Sequence, residues 1–240
     1  ISDEERRRLS RVVTGKGDAN ANKDALPWHR IKNRFDVARE YLMLSLGRLT
    51  KDKSFAIVLF GTDAELLEST PKLVLATPAA VAKAIRELDA IEAGDAVPGR
   101  PHGTLRGFTN MHGGLDVAFR LTSEGLGTPD PYVDPKMLLV GADTIFLLSD
   151  GDPSTDNYRE VDRPDAGDVQ ADPETRAEQE KVPDVTYYGP YVHLDDYLVD
   201  DVQRMNLFRN LEIHCIGIGE ADMQLLRALA SAGLGKAREL

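Results

Sequence analysis

The chain has 240 residues, of which 42% are hydrophobic and 29% are charged, a composition that suits a globular protein with a sizeable core. Its net charge of -11 argues against nucleic-acid binding, because the protein would repel a phosphate backbone. No run approaches the roughly 18 apolar residues of a membrane span. The single cysteine, Cys215, excludes an internal disulfide, and its apolar surroundings favour a small buried hydrophobe.

Residues 1–29 form a polar N-terminal extension or loop insertion. Ser2 and Glu5 have the spacing of a capping box, which predicts a short helix to about residue 13. The chain opens on Ile1, with neither an initiator methionine nor a signal peptide, and this suggests a segment excised from a longer protein. The compartment therefore stays open.

The next part of the chain predicts a helix, two strands and a second helix. An amphipathic helix is expected over 30–49, a buried strand over 54–60 and a weaker edge strand over 72–76. Thr77 and Pro78 then start a helix as its cap and first residue. The buried stripe predicted for the first helix consists of Ile31, Phe35, Ala38, Leu42, Leu46 and Leu49.

The second half alternates strands and helices. The first predicted elements are a helix from Asn110, a strand over 143–148 and an acidic surface insert over 152–186. They are followed by a helix over 194–208 with Phe208 inward, a strand over 211–219 and a last helix that stops at Gly233. This order predicts an α/β fold, a three-layer α/β/α sandwich whose doubly wound, mostly parallel sheet is Rossmann-like. We expect one domain over 1–240. The alternation begins with a helix, so the expected first, central strand is missing.

Two residues follow the predicted elements at positions where ligands bind. Asp150 comes just after a buried strand, and the crevice beyond the carboxyl ends of strands is the binding surface of open α/β sheets. Thr109 stands where a helix begins. Each has a structural alternative, since Asp150 suits a strand-exit turn and Thr109 suits a helix N-cap. Together, a hydroxyl and a carboxylate on one rim suit Mg²⁺, Mn²⁺ or Ca²⁺.

The histidines do not indicate a zinc site. The five in the chain show no pair at helical ligand spacing and no neighbouring cysteine. His112 is close to Thr109 in sequence and could line the same rim, although exposure on the helix is the commoner outcome. Gly217 and Gly219 lack the third glycine of a dinucleotide fingerprint and favour a tight strand exit.

Several segments resemble a known family. In order, "RGFTNMHGGLDVAF", "TIFLLSDGDP" and "IHCIGIGEADMQLLRALASAG" look like the second half of a von Willebrand factor type A domain, and "RIKNRFDVAREYLMLSLGRL" followed by "FAIVLF" resembles its early portion. The resemblance implies a six-stranded sheet between helices with a metal-ion-dependent adhesion site on its rim. It also implies that Thr109 is a direct metal ligand and that Asp150 holds the ion directly or through water.

The chain departs from the family at one motif. The family's Asp-x-Ser-x-Ser sequence, expected after the first strand, occurs nowhere in residues 1–240. Either the strand and its motif lie upstream of Ile1, with residues 1–29 inserted before the first helix, or the domain is degenerate and binds no metal.

The resemblance implies a protein-interaction module rather than an enzyme. A divalent ion held by few protein charges can accept an Asp or Glu carboxylate from a partner protein, and the family slightly favours an extracytoplasmic location. One alternative is a Mg²⁺-dependent hydrolytic or phosphoryl-transfer enzyme that uses Asp150, although the sequence offers no nucleophile–base pair and no phosphate-binding glycine loop. The other is a metal-free structural domain.

Overall fold

The computed structural model describes residues 26–93, 104–105, 109–127, 134–150, 153 and 194–240. The helix predicted after Ser2 lies outside the described residues, and so does the acidic insert over 152–186 apart from Pro153. The helices are α1 Arg34–Leu46, α2 Pro78–Asp89, α3 Met111–Arg120, α4 Met137–Val140, α5 Leu194–Asn206 and α6 Met223–Ala232. The strands are β1 Ser54–Phe55, β2 Val58–Phe60, β3 Ala64–Leu66, β4 Val74–Leu75, β5 Glu92–Ala93, β6 Thr104–Leu105, β7 Thr144–Ser149, β8 Glu212–Gly217 and β9 Ala237–Glu239.

The largest described sheet is parallel and has the order β7-β8-β9. Ile145 lies opposite Ile213, and Leu147 lies opposite Cys215, along the full length of the β7–β8 ladder. Both strands form where they were predicted, but only alternate residues of β7 are buried and its Phe146 is 64% exposed. Because side chains alternate across a strand, the four paired residues share one face of the sheet.

That face carries the main apolar core. The helices α3, α5 and α6 pack on it and supply most of its side chains. The fully buried members include Met111, Leu115, Phe119, Leu198, Val202, Leu211, Ile213, Cys215, Leu226 and Leu229. Cys215 is therefore a small buried hydrophobe, and burial raises the pKa of its thiol to about 12.

On the opposite face α1 covers the carboxyl-terminal part of the strands, whereas Phe146 in the middle of β7 is 64% exposed. Val37 of this helix packs in a second cluster with Ile216 of β8 and Ile218, and Leu148 of β7 lies against the same cluster. With α3, α5 and α6 on the other side, the sheet lies between two helical layers. The predicted three-layer α/β/α fold is thus confirmed.

The predicted strand over 54–60 is not continuous. It divides into β1, which pairs antiparallel with β4, and β2, which pairs antiparallel with β3. The division falls at Ile57, whose N–H donates to the Thr70 hydroxyl at 3.1 Å and whose carbonyl accepts from Leu67 N–H at 3.0 Å. These bonds join Ile57 to a loop, so the strand ladder is interrupted there.

The buried stripe predicted for the first helix is partly wrong. Leu49 lies beyond the end of α1 and is 37% exposed, whereas the charged residues Asp36, Arg39 and Glu40 are buried. The Arg39 guanidinium donates to the Ile91 carbonyl at 2.6 Å and lies 3.2 Å from Asp36. Because α1 packs between two apolar clusters, its buried arc is wide enough to include these charges.

The predicted helix ends agree with the structure better than the predicted side-chain directions do. The Thr77 side chain caps α2 by accepting from Ala80 N–H, and Gly233 ends α6. Phe208, predicted to face inward, is 61% exposed because α5 ends at Asn206 and the phenyl ring extends from the following turn.

Candidate metal centre

The two candidate ligands lie at the same end of the molecule. After α3 the chain reaches Leu121, whose carbonyl accepts from Ala142 N–H, just before β7 begins. From this junction α3 extends back over about 15 Å and β7 forward over about 20 Å. The start of α3, with Thr109, is therefore at the carboxyl end of β7, where Asp150 follows the strand. This end of the molecule is the rim.

Asn110, rather than Thr109, caps α3. The Asn110 side-chain oxygen accepts from Gly113 N–H at 2.7 Å, and its amide nitrogen donates to the Thr62 carbonyl at 3.0 Å. Its own N–H donates to the Gly61 carbonyl at 2.8 Å, in the turn that follows β2. The alternative in which Thr109 is the N-cap is therefore wrong. Thr109 is half-buried and immediately precedes the cap.

Asp150 is exposed at the strand exit. The exit itself is held by the backbone, since the Ser149 carbonyl accepts from Ile218 N–H at 2.9 Å. Within the described residues, no hydrogen bond or ion pair engages the Asp150 carboxylate. The Asp150 carboxylate is therefore exposed to solvent at the rim.

The exit of β8 forms another part of the rim. Gly219 has a φ of 69°, which favours glycine, and a Cβ there would lie 2.7 Å from Arg34 Nε. The Arg34 guanidinium contacts the Glu220 carboxylate at 3.0 Å. The predicted role of this glycine in a tight strand exit is confirmed, and the same turn places an ion pair beside the start of α1.

His112 is buried, which the sequence did not favour. It is 7% exposed, and its Nε2 atom lies 2.9 Å from Oδ2 of Asp201, a residue of α5 that is 6% exposed. The other oxygen of Asp201 accepts from Arg204 Nε at 2.7 Å. This polar group lies one helical turn beneath Thr109. The one signal of this group in the sequence is a histidine two positions after the capping residue Asn110, because its partner Asp201 is 89 residues away.

Burial and ion pairing act in opposite directions on Asp201. Burial alone would raise the pKa of its carboxyl group, but the His112 hydrogen bond and the Arg204 ion pair outweigh it, and the pKa lies below its ordinary value. Asp201 is therefore ionised at neutral pH. Since an ionised carboxylate has no proton to donate, His112 donates its Nε2 proton.

The oxygen donors at the rim are of the type that a hard cation prefers, but they are too few to complete its coordination shell. Thr109 and Asp150 would supply two oxygen ligands, and Mg²⁺ takes six at nearly octahedral positions, several of them water. Among the described residues, no group of three or more His, Cys, Asp or Glu side chains could hold a metal ion. The ion would therefore depend on water, on further ligands and on a partner. None of the described helices is long and apolar enough to span a membrane.

Comparisons with known proteins point to one fold. No protein-family model matches the chain, and no curated protein does. Among solved structures, the chain is similar to a von Willebrand factor type A protein from Catenulispora acidiphila, with a TM-score of 0.50 and 17% sequence identity. The match covers 86% of this chain and 34% of that chain, so the chain spans about a third of the solved structure. The chain has the von Willebrand factor type A fold.

Proposed function

We propose that this domain is a protein-interaction module that binds a partner's Asp or Glu carboxylate through a divalent ion held at the rim by Thr109 and Asp150. The fold supports an interaction module in general. The single observation that carries the metal is the position of Asp150, an exposed aspartate that makes no hydrogen bond or ion pair to the other described residues, at the end of the molecule where Thr109 precedes α3.

The chemistry of the two side chains supports the same proposal. A hydroxyl and one carboxylate leave a divalent ion with most of its charge uncompensated, so a further carboxylate would bind it well. The net charge of -11 favours attraction of cations over anions. The ion would therefore let an acidic protein surface accept an acidic partner group.

The proposal is tested first with the metal alone. Mn²⁺ binding to the full-length protein is measured by electron paramagnetic resonance, with Thr109→Ala and Asp150→Asn as variants. Losing a ligand that interacts with a charge costs roughly 1.5–3 kcal/mol, so we expect an affinity about 10- to 100-fold lower. Asp143→Asn, which alters an exposed carboxylate at the opposite end of β7, is the matched control and should bind like the wild type.

The partner group is tested on the metal-loaded protein. Acetate, followed by a short peptide that contains one aspartate, should displace metal-bound water and lower the proton relaxation enhancement by Mn²⁺. A peptide with asparagine in place of aspartate should not. If Asp150→Asn binds Mn²⁺ as tightly as Asp143→Asn, the rim does not hold the ion and the proposal fails.

We also propose that the domain is not an enzyme. The sequence offers no nucleophile–base pair and no phosphate-binding glycine loop to accompany Asp150. Mg²⁺-dependent turnover of a generic phosphoester such as p-nitrophenyl phosphate, abolished by Asp150→Asn, would favour the hydrolytic alternative instead.

A further inference from the structure

A buried polar group joins α3 to α5 directly below the rim. His112 is the second residue of α3, and its side chain is 9% exposed. It donates to Asp201, whose side chain is 5% exposed and which also pairs with Arg204. Apolar side chains of both helices, among them Leu115 and Val202, lie in the same core cluster.

Stability alone does not account for this group. Taking a carboxylate out of water is unfavourable, and well-packed apolar residues often stabilise a core equally well. A hydrogen bond is directional, however, whereas apolar packing permits a helix to slide or rotate. A buried histidine–aspartate bond can therefore fix the position of a helix end more narrowly than leucine and valine can.

The first turn of α3 is fixed from two sides. On one side Asn110 bonds to the carbonyls of Gly61 and Thr62 after β2. On the other side His112 bonds to α5. Thr109 directly precedes this turn, so any movement of the turn between the two attachments would shift the threonine hydroxyl.

We propose that His112 and Asp201 are positioning residues, which hold the first turn of α3 so that Thr109 stays at the rim in the place where it can serve as a ligand. This inference rests on the proposed metal function of Thr109. Neither residue touches the ion in this scheme. They act through the backbone of α3.

The first experiment compares Mn²⁺ binding by His112→Leu, His112→Gln and Val202→Ala in the full-length protein. Removing a supporting contact of a metal ligand typically weakens affinity about 10- to 100-fold, and we expect at least a tenfold loss in His112→Leu. Glutamine places an amide N–H near the position of Nε2, so His112→Gln should recover most of the affinity. Val202→Ala removes a fully buried side chain next to Asp201 and controls for lost stability.

The second experiment needs no metal. Hydrogen exchange at the Gly113 amide, which donates to the Asn110 side chain, reports opening of the first turn of α3. We expect exchange about tenfold faster in His112→Leu than in Val202→Ala under conditions of equal global stability. If His112→Leu and Val202→Ala change Gly113 exchange equally, the positioning role is overturned, whatever the metal result.

The two experiments separate the two proposals. A wild type that binds no Mn²⁺ contradicts the metal function, whereas faster Gly113 exchange in His112→Leu would still support a positioned helix end. Mn²⁺ binding that is lost in Thr109→Ala but unchanged in His112→Leu supports the metal function and contradicts the positioning role.

Discussion

Arg209 joins two elements at the end of the molecule opposite the rim. Its side chain donates to the Phe119 carbonyl at 2.6 Å and to the Ala142 carbonyl at 2.9 Å, and the residue is only 7% exposed. The first carbonyl belongs to the last turn of α3 and the second lies just before β7. We predict that Arg209→Met, which keeps the length of the side chain but removes its donors, destabilises the protein strongly.

The size of the effect follows from two opposing contributions. Each hydrogen bond from a charged donor contributes roughly 1.5–3 kcal/mol, so two contribute about 3–6 kcal/mol. Burial lowers the pKa of Arg209, which shows that the guanidinium is held at a desolvation penalty that methionine would not have. We therefore expect a net loss of about 2–4 kcal/mol in the free energy of unfolding.

Equilibrium urea unfolding followed by circular dichroism measures this loss. Arg227→Met provides a matched control, since Arg227 is exposed on α6 and its replacement should change stability by less than about 0.5 kcal/mol. If Arg209→Met and Arg227→Met unfold within about 0.5 kcal/mol of each other, the two carbonyls do not depend on the guanidinium and the reasoning is refuted.

Three further predictions concern other buried contacts. A Cβ at Gly141 would lie 2.5 Å from the Met137 carbonyl oxygen and 2.6 Å from the Arg209 guanidinium, so Gly141→Ala should destabilise the protein, and a double-mutant cycle with Arg209→Met should give less than the sum of the single losses. Because the folded-state pKa of Asp201 is lowered, its contribution to stability is present above its unfolded pKa of about 3.9 and is lost as pH falls through the folded value. Asp201→Asn should therefore be less stable than the wild type at pH 7 and lose less stability between pH 7 and pH 2, and parallel pH curves for the two proteins would contradict this. With its thiol pKa raised to about 12, native Cys215 should not react with a disulfide reagent at pH 8, whereas the urea-unfolded protein should react at once.

The sequence predicts best those elements whose cause is local. The strands β7 and β8 come from mainly apolar runs, and the two pair in parallel as expected, with β8 more deeply buried than β7. Thr77 caps α2 and Gly233 ends α6, because the unpaired backbone groups at a helix end are bonded by residues that lie next to that end in the sequence. The strand β9 was not predicted, since "ARE" has no apolar run and its pairing with β8 alone makes it a strand.

Errors arose where distant residues decide the outcome. The strand over 54–60 is interrupted by a bond from Ile57 to Thr70. The buried charges of α1 depend on contacts such as that of Arg39 with Ile91, which is 52 residues away. No periodicity within a single helix contains this information.

The candidate site also combines a feature that could be predicted from the sequence with one that could not. That Thr109 and Asp150 lie on one rim could be predicted, because parallel strands share their carboxyl ends and each residue follows the expected turn. Which residue caps α3 could not be predicted, because Thr109 and Asn110 are adjacent and both are good caps. Asn110 is the cap, and its side chain is held in place by a hydrogen bond to the carbonyl of Thr62, a residue 48 positions away.

The space between β2 and β7 is the place where the first strand, which is missing from the predicted order of elements, could lie. Both strands end at the rim and both pack on α3, through Phe60 at Gly114 and through Ile145 in the main core, yet among the described residues neither pairs with the other. A helix about 10 Å wide covers about two strand spacings of 4.8 Å, which leaves room for one strand between them. The facing edge of β7 has no lysine, proline or charge of the kind that protects an open edge. We therefore expect one more strand there, parallel to both. Such a strand would end beside Thr109 and Asp150, and it would bring further side chains to the rim.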